Sequence, residues 1–340
     1  MVCGGVALAA AVGCVDNARQ ATQARRPRFE RQFVLDSFRK GNVHTHTSLS
    51  DGDSPPEVVA AWYRDHGYDF VALTDHNRVT DESTARDLTT PRFVVLRGEE
   101  ISMWHAGHQV HVNALCTHRT IGGADFPTAG QALQHGIAAV RAQGGVALIN
   151  HPNFDWVVSV ADVPSFAGAS LIEVASGHAY VPSQGDATHP SHEALWDAAL
   201  TAGQDIMGAA VDDMHHVQQC GDPPAYPGKG WVFVSVPALD ADSICDALRE
   251  GMMYSSTGPS IVRIEVRGDR YTVEPADGTA RVTFVGDEGE LSRENKTYRL
   301  QGRERWVRAR VEAAGGTAWT PAVHVNRGNA GGVPSASRGL

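Results

Sequence analysis

The stretch HTHTSLSDG, residues 44–52, decides how this chain is read. It closes a short apolar run, and in a strand residues i and i+2 point to the same side. His44 and His46 therefore aim two imidazoles at one point, and Asp51 follows in the loop. Working outward, the pattern recurs. Apolar runs end in Thr74-Asp75-His76-Asn77, in Gly98-Glu99-Glu100 and in Asn150-His151. His111 opens HVNAL (111–115), and Asp213 and His215 repeat the i, i+2 spacing in VDDMHH (211–216). Each polar residue stands at the mouth of a strand, the rim where barrel-type folds place their active sites.

The runs FVLDSF, NVHTH, DFVALTDH, RFVVLRGEE, HVNALC, GVALINH, SLIEVAS and DIMGAAVDD are short and mostly aliphatic or β-branched, as buried strands are. Between them the spacing predicts helices over 54–67, opened by a Ser54-Pro55-Pro56-Glu57 capping box, and over 129–143, 192–202 and 241–250. Such alternation implies a mostly parallel sheet with right-handed crossovers, open or closed into a barrel. One junction is too short for a helical crossover: about eight residues separate the run ending near Glu100 from the one beginning near Val110. A hairpin is expected there, with Glu100 facing His111. After residue 258 apolar and polar residues alternate between Gly, Asp and Pro turns, which reads as a small antiparallel β module. The expected division is a leader and linker over 1–38, a barrel over 39–258, a β-rich domain over 259–327 and a disordered tail over 328–340.

Composition narrows the function. The 340 residues carry a net charge of −10, which argues against a nucleic-acid binder held by phosphate contacts. There are 16 His, whereas Lys40, Lys229 and Lys296 are the only lysines. The cysteines at 3, 14, 116, 220 and 245 form no CxxC pair and no disulfide framework, and Cys116 reads as a core residue. No apolar run reaches the ~18–20 residues of a membrane span. Residues 2–14, VCGGVALAAAVGC, resemble the apolar region of a signal peptide ending in a lipobox-like AVGC. The resemblance implies export, to the periplasm or to a membrane through a lipid anchor at Cys14, with the Arg-rich residues 15–32 as tether. A leader that is not a signal implies a cytoplasmic protein.

The rim inventory is His44, His46, Asp51, His76, Glu100, His111, His151, Asp213 and His215. A catalytic ion takes three or four protein ligands, so six imidazoles and three carboxylates suit two or three divalent ions. A donor set without thiolate favours Zn, Mn or Fe. Asp75, Glu173, His178 and His216 stand near the same rim as substrate-contacting residues or residues that orient a ligand.

Taken together, HTHTSLSDG, VALTDHN, GEEIS, HVNAL, NHP and DMH resemble the PHP (polymerase and histidinol phosphatase) superfamily over residues 39–258. GHQVHVNAL, IEVASG, VDDMHH, REGMMYSSTGP and AWTPAVHV are similar to its CehA/McbA metallohydrolase branch. The resemblance implies a distorted (β/α)7 barrel followed by a small β domain. It implies a first metal on His44, His46, Glu100 and Asp213, a second on Glu100, His111 and His151, and a third on Asp51, His76 and His215. The family patterns G-x-E and D-x-H select Glu100 over Glu99, and Asp213 and His215 over Asp212 and His216. The amidohydrolase barrel also begins with HxH, but its two-metal versions commonly bridge with a carboxylated lysine, and no lysine stands between residues 41 and 228.

The expected activity is metal-dependent hydrolysis of a small molecule by an activated hydroxide, with Glu100, Asp213 and His215 supporting it. The scissile bond is a phosphoester or a carboxyl ester, amide or carbamate. The other class is a non-catalytic exported binding or scaffold protein on the same barrel.

Overall fold

The computed structural model describes residues 27–220 and 224–326. The leader, Cys14, most of the tether and the tail lie outside the described residues. Two short strands come first, β1 (Arg28–Phe29) and β2 (Phe33–Leu35), and both pair with strands from the far end of the chain.

A mixed α/β body follows. Its elements are β3 (Phe38–Asn42), α1 (Pro56–Asp65), β4 (Phe70–Leu73), α2 (Glu82–Leu88), β5 (Val94–His105), β6 (His108–Leu115), α3 (Ala129–Ala142), β7 (Val146–Ile149), β8 (Leu171–Ser176), α4 (His192–Thr201) and β9 (Met207–Val211). The strands lie side by side in chain order. The pairs β3–β4, β4–β5, β7–β8 and β8–β9 are parallel. β6 alone runs the other way, antiparallel to both β5 and β7. β4 and β7 are buried along their whole length, as strands covered on both faces must be.

The expected hairpin is β5–β6. Its two-residue turn, Ala106-Gly107, has φ of 51° and 87°, the left-handed pair that matches strand twist. The register differs from expectation by two residues: Ser102 faces His111, and Glu100 faces Asn113. A shift of two keeps every side chain on its face, so Glu100 and His111 still meet, diagonally. The helix starts also differ at one point. α1 begins at Pro55-Pro56 with no side-chain cap, so the Ser54 capping box does not form. Thr128, Ser191 and Asp240 do cap α3, α4 and α5 (Ala241–Glu250).

Strand β10 (Trp231–Ser235) pairs antiparallel with Phe38–Gly41, so no ladder joins β3 to β9. Past the ends of β3 and β9 the two segments do touch. The His46 N–H donates to the Met214 carbonyl at 2.9 Å, and the Asp213 N–H donates to the His44 carbonyl at 3.1 Å. Thr45 and Met214 form a single parallel bridge. This contact sets the HxH segment beside the D-x-H segment.

After β11 (Met253–Ser256) all strands are antiparallel: β12 (Ile261–Arg267), β13 (Arg270–Pro275), β14 (Arg281–Gly286), β15 (Gly289–Arg293), β16 (Thr297–Arg299), β17 (Trp306–Ala313), β18 (Gly316–Trp319) and β19 (Val323–Asn326). One sheet runs β16-β13-β12-β2, and the others join the main sheet through the β11–β18 pair. Phe29, Leu35, Ile264, Tyr271, Phe284, Val307 and Val311 fill the space between them.

Cys116 departs from its expected role. It is disulfide-bonded to Cys245, joining the end of β6 to α5 with Cα atoms 6.1 Å apart. Sequence spacing could not show this, because the partners are 129 residues apart. Among the described residues no helix is long and apolar enough to cross a membrane.

Candidate metal centre

Residues within β5 and β6, rather than at their mouths, and residues of the loops after β3, β4, β7, β8 and β9 converge on a cavity of about 390 Å³. Glu100 stands at the centre, on β5, and is almost fully buried. Its Oε2 lies 3.1 Å from His44 Nε2 and 3.0 Å from His46 Nε2. Its Oε1 lies 2.7 Å from His111 Nδ1 and 3.2 Å from His151 Nε2. Asp213 Oδ1 reaches His44 Nε2 at 3.2 Å and His46 Nε2 at 3.4 Å. On the outer side Asp51 Oδ2 is 3.5 Å from both His76 Nε2 and His215 Nε2.

Three groups of donor atoms are compact enough for an ion, each within 4.8 Å: His44, His46, Glu100 and Asp213; His76, Glu100 and His111; and His46, Asp51, His76 and His215. The first has the composition expected from the motifs. In the second, His76 takes the place expected for His151, which instead lies against Glu100 and 3.3 Å from His111. The third gains His46.

The register alternatives separate by environment. Glu99 turns the other way and accepts from the backbone N–H groups of Ile121 and Gly122. Asp212 is buried beneath the site, accepting from Tyr63 Oη at 2.8 Å and from the N–H groups of Lys229 and Gly230. Burial pushes the carboxyls of Glu99 and Asp212 up. Glu100 and Asp213 go the other way: burial works upward, yet the surrounding imidazoles hold both well below the ordinary range. His216 points towards Asp53, at 4.0 Å, rather than into a group of donors.

The donors fit divalent cations. His111 Nε2 is buried with no hydrogen-bond partner among the described residues, a state that costs free energy unless an ion or water satisfies it. His44 Nε2 and His46 Nε2 face each other at 3.2 Å with two carboxylate oxygens beside them. That donor set suits a hard or borderline ion.

A supporting layer fixes these side chains. Glu173 accepts from His44 Nδ1 at 2.7 Å and from the His151 backbone N–H at 2.8 Å, which leaves His44 Nε2 facing Glu100. Asp75 touches no ligand imidazole. It accepts from the Thr47 N–H and from Ser50 Oγ, both at 2.8 Å, and so pins the loop that carries Asp51. Two supporting side chains escape a reading by motif. Ser102 Oγ lies 2.7 Å from His76 Nδ1, and Asn150 Nδ2 donates to Glu100 Oε1 at 2.7 Å. Strand alternation could have found Ser102, two residues from Glu100 on the same face. For Asn150 only its place beside His151 hinted at the site. Asp213 (φ 50°) and His151 (φ 20°) hold left-handed backbone, strain that collects at functional sites.

Besides the ligand candidates the cavity is lined by Gln109, Phe154, His178, Tyr180 and His216, and among the described residues by no lysine or arginine. Burial pushes the His178 imidazole down. A larger cavity, about 630 Å³, lies between α2 and α5 beside the disulfide, but its lining contains none of the three donor groups.

The chain is similar in structure to several solved proteins. One is a two-domain protein from Bacteroides vulgatus containing a predicted PHP-like metal-dependent phosphoesterase, 16% identical over 88% of this chain and 98% of that one, with a TM-score of 0.46. Another is an amidohydrolase from Chromobacterium violaceum with bound sulfate and no metal, 17% identical over 52% and 87%, with a TM-score of 0.37. A third is PsfC from Pseudomonas syringae, 14% identical over 62% and 89%, with a TM-score of 0.41. No family model and no curated protein matches the chain.

Proposed function

We propose that this protein is a metal-dependent hydrolase of the PHP type, with a CehA/McbA-like domain arrangement on a distorted (β/α)7 barrel. One observation carries the reading: Glu100 is shared between two compact donor groups, and His46 and His76 tie both to a third. Such sharing is the chemistry of a multinuclear site rather than of one structural ion. Its ions are Zn, Mn or Fe, two or three in number. When bound, divalent ions supply hydroxide at neutral pH and polarise a substrate oxygen.

The chain's own residues do the rest. Glu100, Asp213 and His215 hold the donor geometry, and Glu173 keeps His44 in the tautomer that faces inward. His44, His46, Glu100 and Asp213 are buried, which limits water around the inner donors. The substrate is a small molecule whose scissile group is a phosphoester or a carboxyl ester, amide or carbamate. Among the described residues the cavity lining holds no lysine or arginine, which favours a substrate with no second anionic group. Export agrees with the Cys116–Cys245 disulfide, since such bonds persist in oxidising compartments. A lipid anchor at Cys14 belongs to the same proposal.

Metal analysis of purified protein, with assays on p-nitrophenyl phosphate, bis(p-nitrophenyl) phosphate and aryl esters and carbamates, tests the function. Less than one transition metal per chain after reloading defeats it.

A further inference from the structure

His178 is the one pocket imidazole other than His216 that belongs to neither the ligand set nor its supports. Its backbone setting is unusually fixed. The Gly177 N–H donates to the Val211 carbonyl at 2.9 Å, directly before Asp212 and Asp213. A Cβ at 177 would come within 2.6 Å of Lys229 Cβ and 2.8 Å of the Asp212 carbonyl, so the turn lies flat on the D-x-H segment only because 177 is glycine. The His178 N–H donates to Ser176 Oγ, the Val181 N–H donates to the His178 carbonyl, and the Ser176 N–H donates to Ser183 Oγ. The His178 ring meets the His215 ring edge to face, 5.4 Å between centroids.

The ring's own hydrogen bond sets its tautomer. The Tyr180 backbone N–H donates to His178 Nδ1 at 3.2 Å. A backbone N–H can only donate, so Nδ1 carries the lone pair and the proton sits on Nε2. Nε2–H has no hydrogen-bond acceptor among the described residues. In a cavity whose described lining holds no lysine or arginine it is a fixed, unspent donor beside the donor groups.

We propose that His178 Nε2–H is the hydrogen-bond donor to the substrate oxygen on which negative charge develops. The role rests on the metallohydrolase reading above. It asks for a hydrogen bond and no proton transfer, and the Tyr180 contact aims the donor before substrate arrives. The Tyr180 hydroxyl and Gln109 also line the cavity; Gln109 sits on β6, and among the described residues no hydrogen bond orients its side chain.

The test uses zinc-loaded full-length protein and inorganic phosphate as the probe. Nitrogen-15 histidine spectra, assigned through His178→Gln, are expected to show His178 with the proton on Nε2. A proton on Nδ1 overturns the proposal. Phosphate binding by calorimetry is expected to weaken roughly 10- to 100-fold in His178→Phe, the worth of one hydrogen bond to a charged group. His178→Gln, which keeps a donor, is expected to recover most of that loss. Zinc content and melting temperature should be unchanged in both. Unchanged phosphate affinity in His178→Phe, lost zinc in either variant, or a zinc-loaded wild type that binds no phosphate each overturns the role. A wild type that takes up neither zinc nor, on reloading, manganese or iron instead defeats the metallohydrolase reading, and the spectra still decide the tautomer.

Discussion

Glu100 shows how much one side chain carries. Both its oxygens are committed, one to His44 and His46 and the other to His111, His151 and Asn150. Replacing it with Gln keeps the volume but removes the charge shared by two donor groups. Glu100→Gln is expected to lose metal stoichiometry and roughly 10³-fold in turnover, checked by elemental analysis beside the rate. Glu173→Gln should act more mildly, because it frees His44 without removing a ligand candidate. Metal affinity is expected to fall roughly 10- to 100-fold with the fold intact, measured by competition with a chelator. Protonation adds a third expectation. Burial lowers His44 and His46, yet Asp213 and Glu100 outweigh it, holding His44 well above its ordinary value and His46 at about 10. Raised pKa values stabilise the metal-free fold fully below the unfolded histidine value of about 6.5, and that stability is lost as pH rises through about 10. Ions must displace these protons. Zinc uptake near pH 7.5 is therefore expected to release protons, and affinity should rise from pH 6 to pH 9. A weakly buffered titration with no acidification contradicts it. At this scale the motifs were legible because i, i+2 spacing survives folding, whereas Asn150 and the loop-pinning Asp75 act through contacts that no spacing encodes.

Elements explain the rest of what was and was not legible. The β5–β6 hairpin followed from a junction too short for a helix, yet its register slipped by two because the strands run past Glu100 to His105. Strand β1 was hidden in the polar, Arg-rich stretch, whereas β2 lies within the run FVLDSF; for both, the partner strand lies at the other end of the chain, where no spacing points to it. The Cys116–Cys245 bond was hidden for the same reason. It staples α5 to the end of β6, the strand that carries His111. Closing a loop across 129 residues constrains the unfolded chain strongly. Reduction, or Cys245→Ala, is expected to lower stability by about 2–5 kcal/mol, read as a shifted urea midpoint with and without reductant. An identical midpoint in both conditions would show that the bond is absent in solution.

Across the whole molecule, the β module and the site-bearing body are joined by a buried charge. Arg308 on β17 is 1% exposed. Its Nη2 donates to Glu193 Oε1 at 2.6 Å and to Asp197 Oδ2 at 2.9 Å, and its Nε donates to Asp197 Oδ1 at 2.8 Å. Both acids lie on α4, and Trp196 of that helix sits under the guanidinium at 4.7 Å. The same helix begins at His192, whose Nε2 accepts the Asn153 N–H, while Asn153 Nδ2 donates to the Pro182 and Pro190 carbonyls. Arg308 therefore braces, through α4, the loop that carries His178 and Tyr180. Removing the cation alone strands the partly buried Asp197 and leaves Glu193 with only Arg310, at 3.7 Å, a loss of the kind that typically costs about 3–5 kcal/mol. Arg308→Ala is expected to lose about that much stability in urea unfolding. Arg308→Met combined with Glu193→Gln and Asp197→Asn should lose less, because no unpaired charge remains. If the single variant is as stable as the wild type, the triad does not hold the two parts together. If the triple variant is the worse of the two, the cost lies in lost hydrogen bonds rather than in stranded charge.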